Sequence, residues 1–337
     1  MKTIVCVQPG NLEVSERQAP VPERGQALLA IRRIGVCGTD LHAFAGNQAY
    51  FTYPRILGHE LAAEVLDIGP NPRGIRPGDP VIPIPYLHCG ECIACRNGRT
   101  NCCTQMQVLG VHVDGGMQEL LAVPSELLLP SGSLSWDQMA LAEPLAIGAH
   151  AVRRAGLRSG EKVVVVGCGP IGLGLIYFAK RAGAQVAALD TDPFRLAFAA
   201  ETFGADLIVP GGNEARETIL EWSTGDLATA VFDATGHTAA LESGIRYMAH
   251  GGRYVLVGLS KGPLTFLHPE IHARETSLLC SRNATLEDFE EVIRGLPDFP
   301  AEAFITHRLD FGNVVQRFGA LTNPENRVIK GMVEFPE

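Results

Sequence analysis

The feature that most constrains this chain is a β-branched run that leads directly into a glycine-rich turn. Residues 162–167, Lys-Val-Val-Val-Val-Gly, have the pattern of a strand covered on both faces of a sheet. The sequence Gly167-Cys168-Gly169-Pro170-Ile171-Gly172 follows and opens a predicted helix over 170–182. Glycines at these three positions allow a tight turn, close approach to a pyrophosphate and close helix–strand packing. The pattern predicts a dinucleotide site with its phosphates at the helix N-terminus.

Strands and helices alternate after this turn. The pattern predicts strands over 185–190, 205–209, 228–234 and 253–258, and helices over 193–203 and 238–249. Such alternation is typical of a parallel sheet with helices on both faces. We therefore predict an α/β fold with a doubly wound, Rossmann-type domain over 151–285.

The flanking parts of the chain have a different texture. Residues 1–150 are rich in glycine and proline, with short alternating runs such as Ala27–Ile31 and Leu61–Ile68. This pattern is typical of an antiparallel, β-rich domain whose loops present functional residues. A helix over Glu287–Arg294 and a strand over Arg327–Glu334 follow the Rossmann pattern. We expect residues 286–337 to return to the first domain, which would then be discontinuous.

Composition limits the class of protein and its partners. The chain has 337 residues, of which 46% are hydrophobic and 19% charged, as expected of about two globular domains. The net charge of −9, without a dense basic run, argues against a nucleic-acid or anionic-membrane partner. No apolar run approaches the roughly 18 residues of a membrane-spanning helix. The N-terminus MKTIVCVQPG lacks a signal core. We expect a cytoplasmic enzyme with a small-molecule substrate.

Four cysteines are closely spaced in the segment HCGECIACRNGRTNCC. Cys89, Cys92, Cys95 and Cys103 can surround one tetrahedral ion, and zinc favours such a closed, all-sulfur shell. Cys102 is an alternative fourth ligand, and two disulfides are an alternative to the metal. Because nothing suggests secretion, the spacing predicts a structural zinc site.

The end of the second Rossmann strand bears on the choice of cofactor. Asp190 lies 18 residues beyond Gly172, where a carboxylate can accept hydrogen bonds from both ribose hydroxyls and repel a 2′-phosphate. This favours NAD over NADP. The alternative is that Asp190 caps the next helix, but Asp192 suits that role better. Arg195 either packs on the adenine or lies on a solvated helix face.

Other residues follow later strands of the predicted sheet. Ligands of such sheets bind at the carboxyl ends of the strands. By this rule, candidate cofactor-binding residues are Thr235, Gly236 and Gly258.

A second metal site is suggested by residue types rather than by spacing. Cys37 lies in GVCGTDLH, His59 and Glu60 in LGHE, and Glu143 in LAEPLA. Each alone has an ordinary structural reading, as a buried thiol or a turn with a surface carboxylate. Together, thiolate, imidazole and carboxylate make a mixed zinc shell with room for an exchangeable position, which is typical of catalytic sites.

These motifs, in this order and together with GCGPIG, resemble the zinc-dependent medium-chain dehydrogenase/reductase superfamily over essentially the whole chain. The resemblance implies a GroES-like domain beside the Rossmann domain. It also implies a catalytic zinc held by Cys37, His59 and Glu143, with Glu60 behind them or as an alternate ligand. Two zinc ions and one NAD per chain are therefore expected. The motif LAEP has a glutamate where classical alcohol dehydrogenases carry a cysteine. In this feature the chain resembles the polyol and sugar dehydrogenase branch of the superfamily.

Further segments narrow the resemblance within that branch. CGTDLHAFAGNQAYFTYPRILGHE, CRNGRTNCC, LGVHVDGG and CSRNAT are similar to bacterial enzymes that oxidise the C5 hydroxyl of a hexonate. Oxidation of a neutral polyol, of threonine or of another secondary alcohol is the alternative. A nucleotide-binding module without catalysis is the alternative from another class.

The resemblance also implies roles around the reacting alcohol. It implies a proton relay through the Thr39 hydroxyl and the nicotinamide ribose to His42, for which an exposed loop residue is the alternative. Arg282 would suit the hexonate carboxylate or vicinal oxygens. Weaker candidates for sugar hydroxyls are Asn47, Gln48 and Asn283. A homodimer or homotetramer is implied by resemblance alone.

Overall fold

The computed structural model describes residues 1–48 and 51–336. The chain divides into two compact units, Met1–Glu143 with Phe289–Glu337, and Pro144–Asp288. We call these the first unit and the second unit. The sequence had suggested limits at 150 and 286. Each division falls within a helix, which explains why no change in loop composition marks it.

The first unit begins with short strands and few helices. Its strands up to residue 130 are β1 (Lys2–Gln8), β2 (Asn11–Glu16), β3 (Gln26–Val36), β4 (Arg55–Ile56), β5 (Glu60–Ile68), β6 (Pro80–Pro83), β7 (Tyr86–Leu87), β8 (Gln107–Val108), β9 (Leu120–Pro124) and β10 (Leu128–Pro130). The helices of this part are α1 (Gly38–Phe44), α2 (Ile93–Arg96) and α3 (Trp136–Ala140).

The next stretch of chain alternates helices and strands. Its elements are α4 (Ala142–Ala155), β11 (Lys162–Val166), α5 (Pro170–Arg181), β12 (Gln185–Asp190), α6 (Pro193–Glu201), β13 (Leu207–Pro210), α7 (Ala215–Trp222), β14 (Ala228–Asp233), α8 (Thr238–Ser243), β15 (Met248–Leu256), α9 (His268–Ala273) and β16 (Ser277–Cys280). The six strands form one parallel sheet in the order β13-β12-β11-β14-β15-β16. This is the strand order of a doubly wound dinucleotide-binding fold. The predicted α/β class and Rossmann sheet are confirmed.

The last part of the chain completes the first unit. Its elements are α10 (Leu286–Gly295), α11 (Ala301–Phe304), β17 (Ile305–Asp310), α12 (Val314–Arg317) and β18 (Lys330–Glu334). Strand β18 pairs antiparallel with β3 and parallel with β17, so the C-terminal residues lie in the main sheet of the first unit. That sheet runs β10-β6-β5-β3-β18-β17, with β9 also on β3. Smaller sheets are β2-β1-β4 and β7-β8.

Each unit has its own apolar core. In the first unit, Leu29, Ile34 and Val65 from the main sheet pack with Phe318 from the C-terminal part. In the second unit, the β-branched run of β11 is buried, as a strand covered on both faces requires. These cores fix the strand ends from which the functional side chains project.

One predicted helix is wrong in part. The sequence pattern suggested a helix over 238–249, but α8 ends at Ser243 and a 3-10 turn occupies Gly244–Tyr247. Strand β15 begins at Met248, because the backbone of Met248 pairs with Ala228 of β14 and its side chain is buried. Helices α7 and α9 and strand β16 were not predicted.

Candidate active site

The four predicted cysteines converge in the loop between β7 and β8. The sulfur atoms of Cys89, Cys92, Cys95 and Cys103 all lie within 4.8 Å of one another. Cys102 belongs to the described residues but is exposed and outside this group. The Cys92–Cys95 and Cys103–Cys89 sulfur pairs are each 3.5 Å apart, against about 2.05 Å in a disulfide. All nine cysteines are free, so the disulfide alternative is wrong.

The pKa is lowered for two of the four thiols, Cys92 and Cys103, by backbone N–H groups of this loop, whereas burial raises the pKa of Cys95 to about 12. The N–H of Cys92 donates to Cys89 Sγ at 3.3 Å, and Cys103 Sγ accepts from the backbones of Cys89 and Gln105, also at 3.3 Å. Backbone hydrogen bonds from Cys95 and Thr104 lower the pKa of Cys92 to about 5. Because thiolates are the form that binds metal, this donor set fits a closed, tetrahedral zinc site.

A second group of side chains of the types that bind metals forms at the start of α1 and of β5. Cys37 precedes the first turn of α1, and His59 and Glu60 lie where β5 begins. Ligand atoms of these three residues all lie within 4.8 Å of one another. A zinc ion binds sulfur at about 2.3 Å and nitrogen or oxygen at about 2.0–2.2 Å, so one ion can contact all three.

Asp40 links the two segments that carry these ligands. Its Oδ2 atom accepts from the backbone N–H of Cys37 at 2.9 Å, and its Oδ1 atom accepts from the N–H of Gly58 at 3.1 Å. The same Oδ1 lies 3.7 Å from Nδ1 of His59. Asp40 is buried, so these contacts hold the Cys37 turn against the His59 segment.

The electrostatics around His59 favour a positive charge. Burial alone would lower the pKa of His59, but the negative charges of Asp40, Cys37 and Glu143 raise it well above the usual range. The buried Nδ1 atom has no hydrogen-bond partner among the described residues. A divalent cation would supply the positive charge that this arrangement favours. The site therefore fits a metal in its donor set and in its charge.

Glu143 lies slightly apart from the three-residue group. It lies in the first turn of α4, is buried, and is not part of the set within 4.8 Å. Its Oε1 atom accepts a short hydrogen bond from the Tyr86 hydroxyl. Burial raises the pKa of Glu143, and the neighbouring His59 opposes that rise. The carboxylate thus acts electrostatically on the metal-binding residues while a phenol holds one of its oxygens.

Glu60 has a different partner. The ammonium group of Lys330 in β18 lies 2.7 and 2.8 Å from the two Glu60 carboxylate oxygens and donates to Val36 O at 3.2 Å. Burial alone would lower the pKa of Lys330, but the charges of Glu60, Cys37 and Glu143 raise it. The charge of Glu60 is therefore compensated by a cation of the protein itself. Of the two carboxylates, Glu143 has only a neutral donor.

The two residues of the predicted proton relay both lie in α1. Thr39 is half-buried in the first turn, next to the Cys37 segment. His42 lies in the last turn of the same helix and is exposed to solvent. One helix thus runs from Cys37, at its N-terminus, to an imidazole exposed at the surface.

The glycine motif adopts the geometry that a dinucleotide turn requires. Gly167 has φ +90°, and a Cβ there would lie 2.8 Å from Thr235 Cγ2. A Cβ at Gly172 would lie 1.7 Å from Gly167 O, so only glycine permits this approach of α5 to the turn. Gly169 caps α5 without a side-chain hydrogen bond, followed by Pro170 and Ile171. The backbone N–H groups of this helix end can bind phosphate oxygens.

The carboxylate of Asp190 is fixed at the end of β12. Its Oδ2 atom accepts from Cys168 N at 2.6 Å and its Oδ1 atom from Asp192 N at 2.9 Å. The capping role belongs to Asp192, which accepts from Phe194 N at the start of α6. Arg195 Nε lies 3.9 Å from Asp192, and an added Cβ at Gly169 would lie 3.7 Å from Arg195 Nη1.

The later strand ends form a close backbone approach. Thr235 follows β14, and its N–H and hydroxyl both donate to Asp233 Oδ1, at 2.8 and 2.7 Å. A Cβ at Gly258 would lie 2.2 Å from Gly236 N. This close approach of the segments after β14 and β15 leaves no room for a side chain at position 258.

The candidate substrate residues are less well defined. Arg282 is exposed after β16, and Asn283 has φ +50° with a buried Nδ2 that has no partner among the described residues. Both lie in the second unit. Asn47 is exposed, and Gln48 is half-buried at the edge of the described ranges in the first unit.

Three buried residues of the metal-binding region were missed by sequence reasoning. They are Asp40, Tyr86 and Lys330. Asp40 lies in the motif GVCGTDLH, three residues after Cys37. An acidic residue at that spacing from the start of a helix is a known capping signal, so Asp40 could have been predicted from the sequence. Tyr86 and Lys330 carry no local signal, because their partners lie 57 and 270 residues away.

Two stretches of the chain match known families. Residues 23–133 match the alcohol dehydrogenase GroES-like domain, and residues 170–296 match the zinc-binding dehydrogenase family. The chain belongs to the zinc-binding alcohol dehydrogenases, as the predicted resemblance indicated. Zinc and a nicotinamide dinucleotide are its cofactors, and it is an oxidoreductase.

Individual relatives are similar over nearly the full length. The chain is 42% identical to L-galactonate-5-dehydrogenase of Escherichia coli K12, over 99% of each chain. It is 32% identical to 2-dehydro-3-deoxy-L-galactonate 5-dehydrogenase of Pseudoalteromonas atlantica, over 84% of this chain and 83% of that one. The crystal structure of an alcohol dehydrogenase (rspB) from E. coli CFT073, complexed with NADH, superposes with a TM-score of 0.92 at 29% identity, covering 99% of each chain.

These relatives define the enzyme class. The chain is a medium-chain zinc dehydrogenase, and the two curated relatives named above are dehydrogenases of sugar acids. Within residues 1–48 and 51–336, no helix has the length and apolar character needed to cross a bilayer.

Proposed function

We propose that this enzyme oxidises the C5 hydroxyl of a hexonate, L-galactonate or a close stereoisomer, with NAD as hydride acceptor. The observation that carries the proposal is the 42% identity to L-galactonate-5-dehydrogenase over 99% of both chains. The secondary alcohol loses a hydride to NAD and a proton to solvent, giving a ketone, NADH and H⁺. A second relative, also a 5-dehydrogenase of a six-carbon sugar acid, supports the same position of attack.

In this proposal some of the buried residues bind the catalytic metal, and others hold those ligands in position. Cys37, His59 and Glu143 would hold the catalytic zinc. When bound, the zinc acts as a Lewis acid that favours loss of the hydroxyl proton, and the nicotinamide accepts the hydride. Asp40 fixes the Cys37 turn, and Lys330 neutralises Glu60, which stands behind the ligands or replaces one of them.

The proposed path for the proton begins at the Thr39 hydroxyl, beside the substrate, and would reach His42 by way of the nicotinamide ribose. His42 would release the proton to water. The half-buried position of Thr39 and the exposure of His42 support this direction of transfer. An imidazole suits this role, because it can accept a proton on one ring nitrogen and give it up to water.

Cofactor choice is assigned to Asp190. Two backbone N–H groups orient its carboxylate, and each oxygen retains capacity to accept from a ribose hydroxyl. A 2′-phosphate would meet this negative charge at close range, so NAD is preferred to NADP. The phosphates would lie at the α5 N-terminus, with Arg195 on the adenine side and Thr235, Gly236 and Gly258 at the later strand ends.

Recognition of the substrate carboxylate is assigned to Arg282. Its exposed guanidinium can form a bidentate pair with a carboxylate, which a neutral polyol does not offer. Asn283, Asn47 and Gln48 are further candidates for hydroxyl contacts.

A substrate panel tests the proposal. NADH formation is measured with L-galactonate, its C5 epimer, galactitol, L-threonine and 2,3-butanediol under one set of conditions. We expect L-galactonate or another hexonate to give the highest kcat/KM, and galactitol, which lacks the carboxylate, to be much poorer. Equal turnover of galactitol would contradict the sugar-acid assignment and favour a polyol dehydrogenase. Absence of turnover with every alcohol, despite tight NADH binding, would favour a non-catalytic nucleotide-binding module.

We further propose a cytoplasmic homodimer or homotetramer. Strand β16 is an edge of the parallel sheet, and its residues Ser277, Leu278 and Cys280 are exposed. An unpaired edge offers backbone groups to a second copy of the chain. Light scattering coupled to size exclusion should give a mass of two or four chains. A mass of 36.1 kDa, that of one chain, would contradict self-association.

A further inference from the structure

Tyr86 occupies an unusual position between the two groups of metal-binding residues. Its side chain is buried, and its ring packs edge-on against Phe289 with centroids 6.1 Å apart. The hydroxyl donates to Oε1 of Glu143. Because the ring is packed in this way, the phenol oxygen is held next to the carboxylate.

The backbone of Tyr86 belongs to the base of the four-cysteine loop. Strand β7 pairs antiparallel with β8, so that Tyr86 lies opposite Val108 and Leu87 opposite Gln107. The N–H of Leu109 also donates to Pro85 O at 3.1 Å. Cys89 follows β7 after a single residue, and Cys103 precedes β8 by only a few. The two-strand ladder therefore closes the loop that the four sulfurs organise.

We propose that Tyr86 is a positioning residue that orients the Glu143 carboxylate for the catalytic metal and connects it to the four-cysteine loop. This inference rests on the proposed function, which takes Glu143 as a ligand. Oε1 of Glu143 accepts the hydrogen bond from the phenol. Oε2 is then the oxygen whose lone pairs would bind a metal ion. A metal held by Cys89, Cys92, Cys95 and Cys103 would then support the catalytic site as well as the fold, because the loop that it closes begins at β7.

The arrangement has a physical rationale. A buried carboxylate with no hydrogen bond from a cationic side chain needs another donor to fix its orientation. The Lys330 ammonium group donates to Glu60, whereas the Tyr86 phenol donates to Glu143. The two carboxylates therefore differ in the kind of group that orients them. Hydrogen bonds to metal ligands fix ligand orientation, and their loss commonly lowers metal affinity by about 10–100-fold.

The direct test is Tyr86→Phe, which removes one oxygen and keeps the ring that packs on Phe289. The matched control is Tyr254→Phe in the second unit, where the buried hydroxyl donates to Leu241 O at 2.7 Å. Both proteins are loaded with Co²⁺, and the visible absorption spectrum and the rate of metal loss to a chelator are recorded. We expect Tyr86→Phe to shift the spectrum of the catalytic cobalt and to lower its affinity by about 10–100-fold. Tyr254→Phe should do neither.

A double variant tests whether Tyr86 acts through Glu143. If it does, Tyr86→Phe combined with Glu143→Gln should bind the catalytic metal no more weakly than Glu143→Gln alone. Additive losses in the double variant would contradict the proposed route. Turnover is measured in parallel, and we expect Tyr86→Phe to lower kcat while the KM for NAD is unchanged.

Two further outcomes separate this inference from the proposed function. A wild-type protein with one cobalt site and no hexonate turnover would overturn both. A wild-type protein with two sites, beside a Tyr86→Phe variant with unchanged spectrum and affinity, would overturn only the role of Tyr86. If Tyr86→Phe does not fold, 3,5-difluorotyrosine at position 86 keeps the shape and makes the phenol more acidic. An unchanged cobalt spectrum in that protein would likewise contradict the proposal.

Discussion

Lys330 and Glu60 form an ion pair with no access to solvent, with Nζ 2.7 and 2.8 Å from the two carboxylate oxygens. Removing one member of such a pair leaves an uncompensated buried charge. We therefore predict that Lys330→Met lowers the free energy of unfolding by about 3–5 kcal/mol, measured by urea denaturation.

Two controls accompany this prediction. Lys330→Met combined with Glu60→Gln should recover most of the loss, because no charge is then left alone. Lys180→Met, which breaks the partly exposed pair with Asp206, should cost no more than about 1 kcal/mol. Equal losses of stability in Lys330→Met and Lys180→Met would show that Lys330 is not needed to compensate a buried charge on Glu60.

The four-cysteine loop should affect stability. We predict that Cys92→Ser loses one zinc per chain and unfolds at lower temperature or assembles poorly, because a structural metal site supplies folding energy. Cys102→Ser is the matched control, since that exposed thiol lies outside the group of four. Equal melting temperatures for the two variants, measured by differential scanning calorimetry, would show that the loop needs no metal.

Cofactor preference should depend on Asp190. We predict that Asp190→Ala raises the ratio of kcat/KM for NADP to that for NAD by roughly tenfold or more, because a hydrogen bond to a charged group contributes about 1.5–3 kcal/mol. Asp192→Ala is the control: it removes the cap of α6, costing about 1 kcal/mol of stability, without altering the preference. An unchanged ratio in Asp190→Ala would assign the discrimination to another residue.

Acid stability should depend on Asp288. Burial alone would raise the pKa of Asp288, but hydrogen bonds from His150, Arg153 and the backbone of Thr285 hold it well below the usual range. Its stabilising contribution is therefore complete above the unfolded pKa of about 3.9 and is lost as the pH falls through the lower native pKa.

The pH dependence of the Asp288 contribution can be measured by comparing two variants. We predict that Asp288→Asn lowers the free energy of unfolding by about 1.5–3 kcal/mol at pH 7, and that the gap to wild type narrows below about pH 4. Asn in place of the exposed Asp226 should change little at any pH. A gap that stays constant from pH 7 to pH 3 would contradict the account.

The fold and the metal-binding motifs could be predicted because their signals are local. The strand before Gly167, the three glycines and the spacing of Cys89, Cys92 and Cys95 are all short-range patterns. The supports of the catalytic site could not be predicted in this way. Lys330 and Tyr86 have no pattern of their own, and they acquire their roles only when β18 and β7 approach Glu60 and Glu143. The end of α8 was misjudged because pairing of Met248 with β14 outweighed local helix preference.

Cys37 is one of the proposed ligands of the catalytic metal and the only thiol among them. We predict that Cys37→Ser loses nearly all turnover while it keeps the fold and NAD binding, the latter measured by calorimetry. Substantial residual turnover in this variant would remove Cys37 from the metal site.

The number of zinc ions per chain tests the central claim most directly. Elemental analysis of purified protein by mass spectrometry should find two zinc ions per chain in the wild type and one in Cys37→Ser. One zinc ion per chain in both proteins would contradict the account, because the site of Cys37, His59 and Glu143 would then hold no metal.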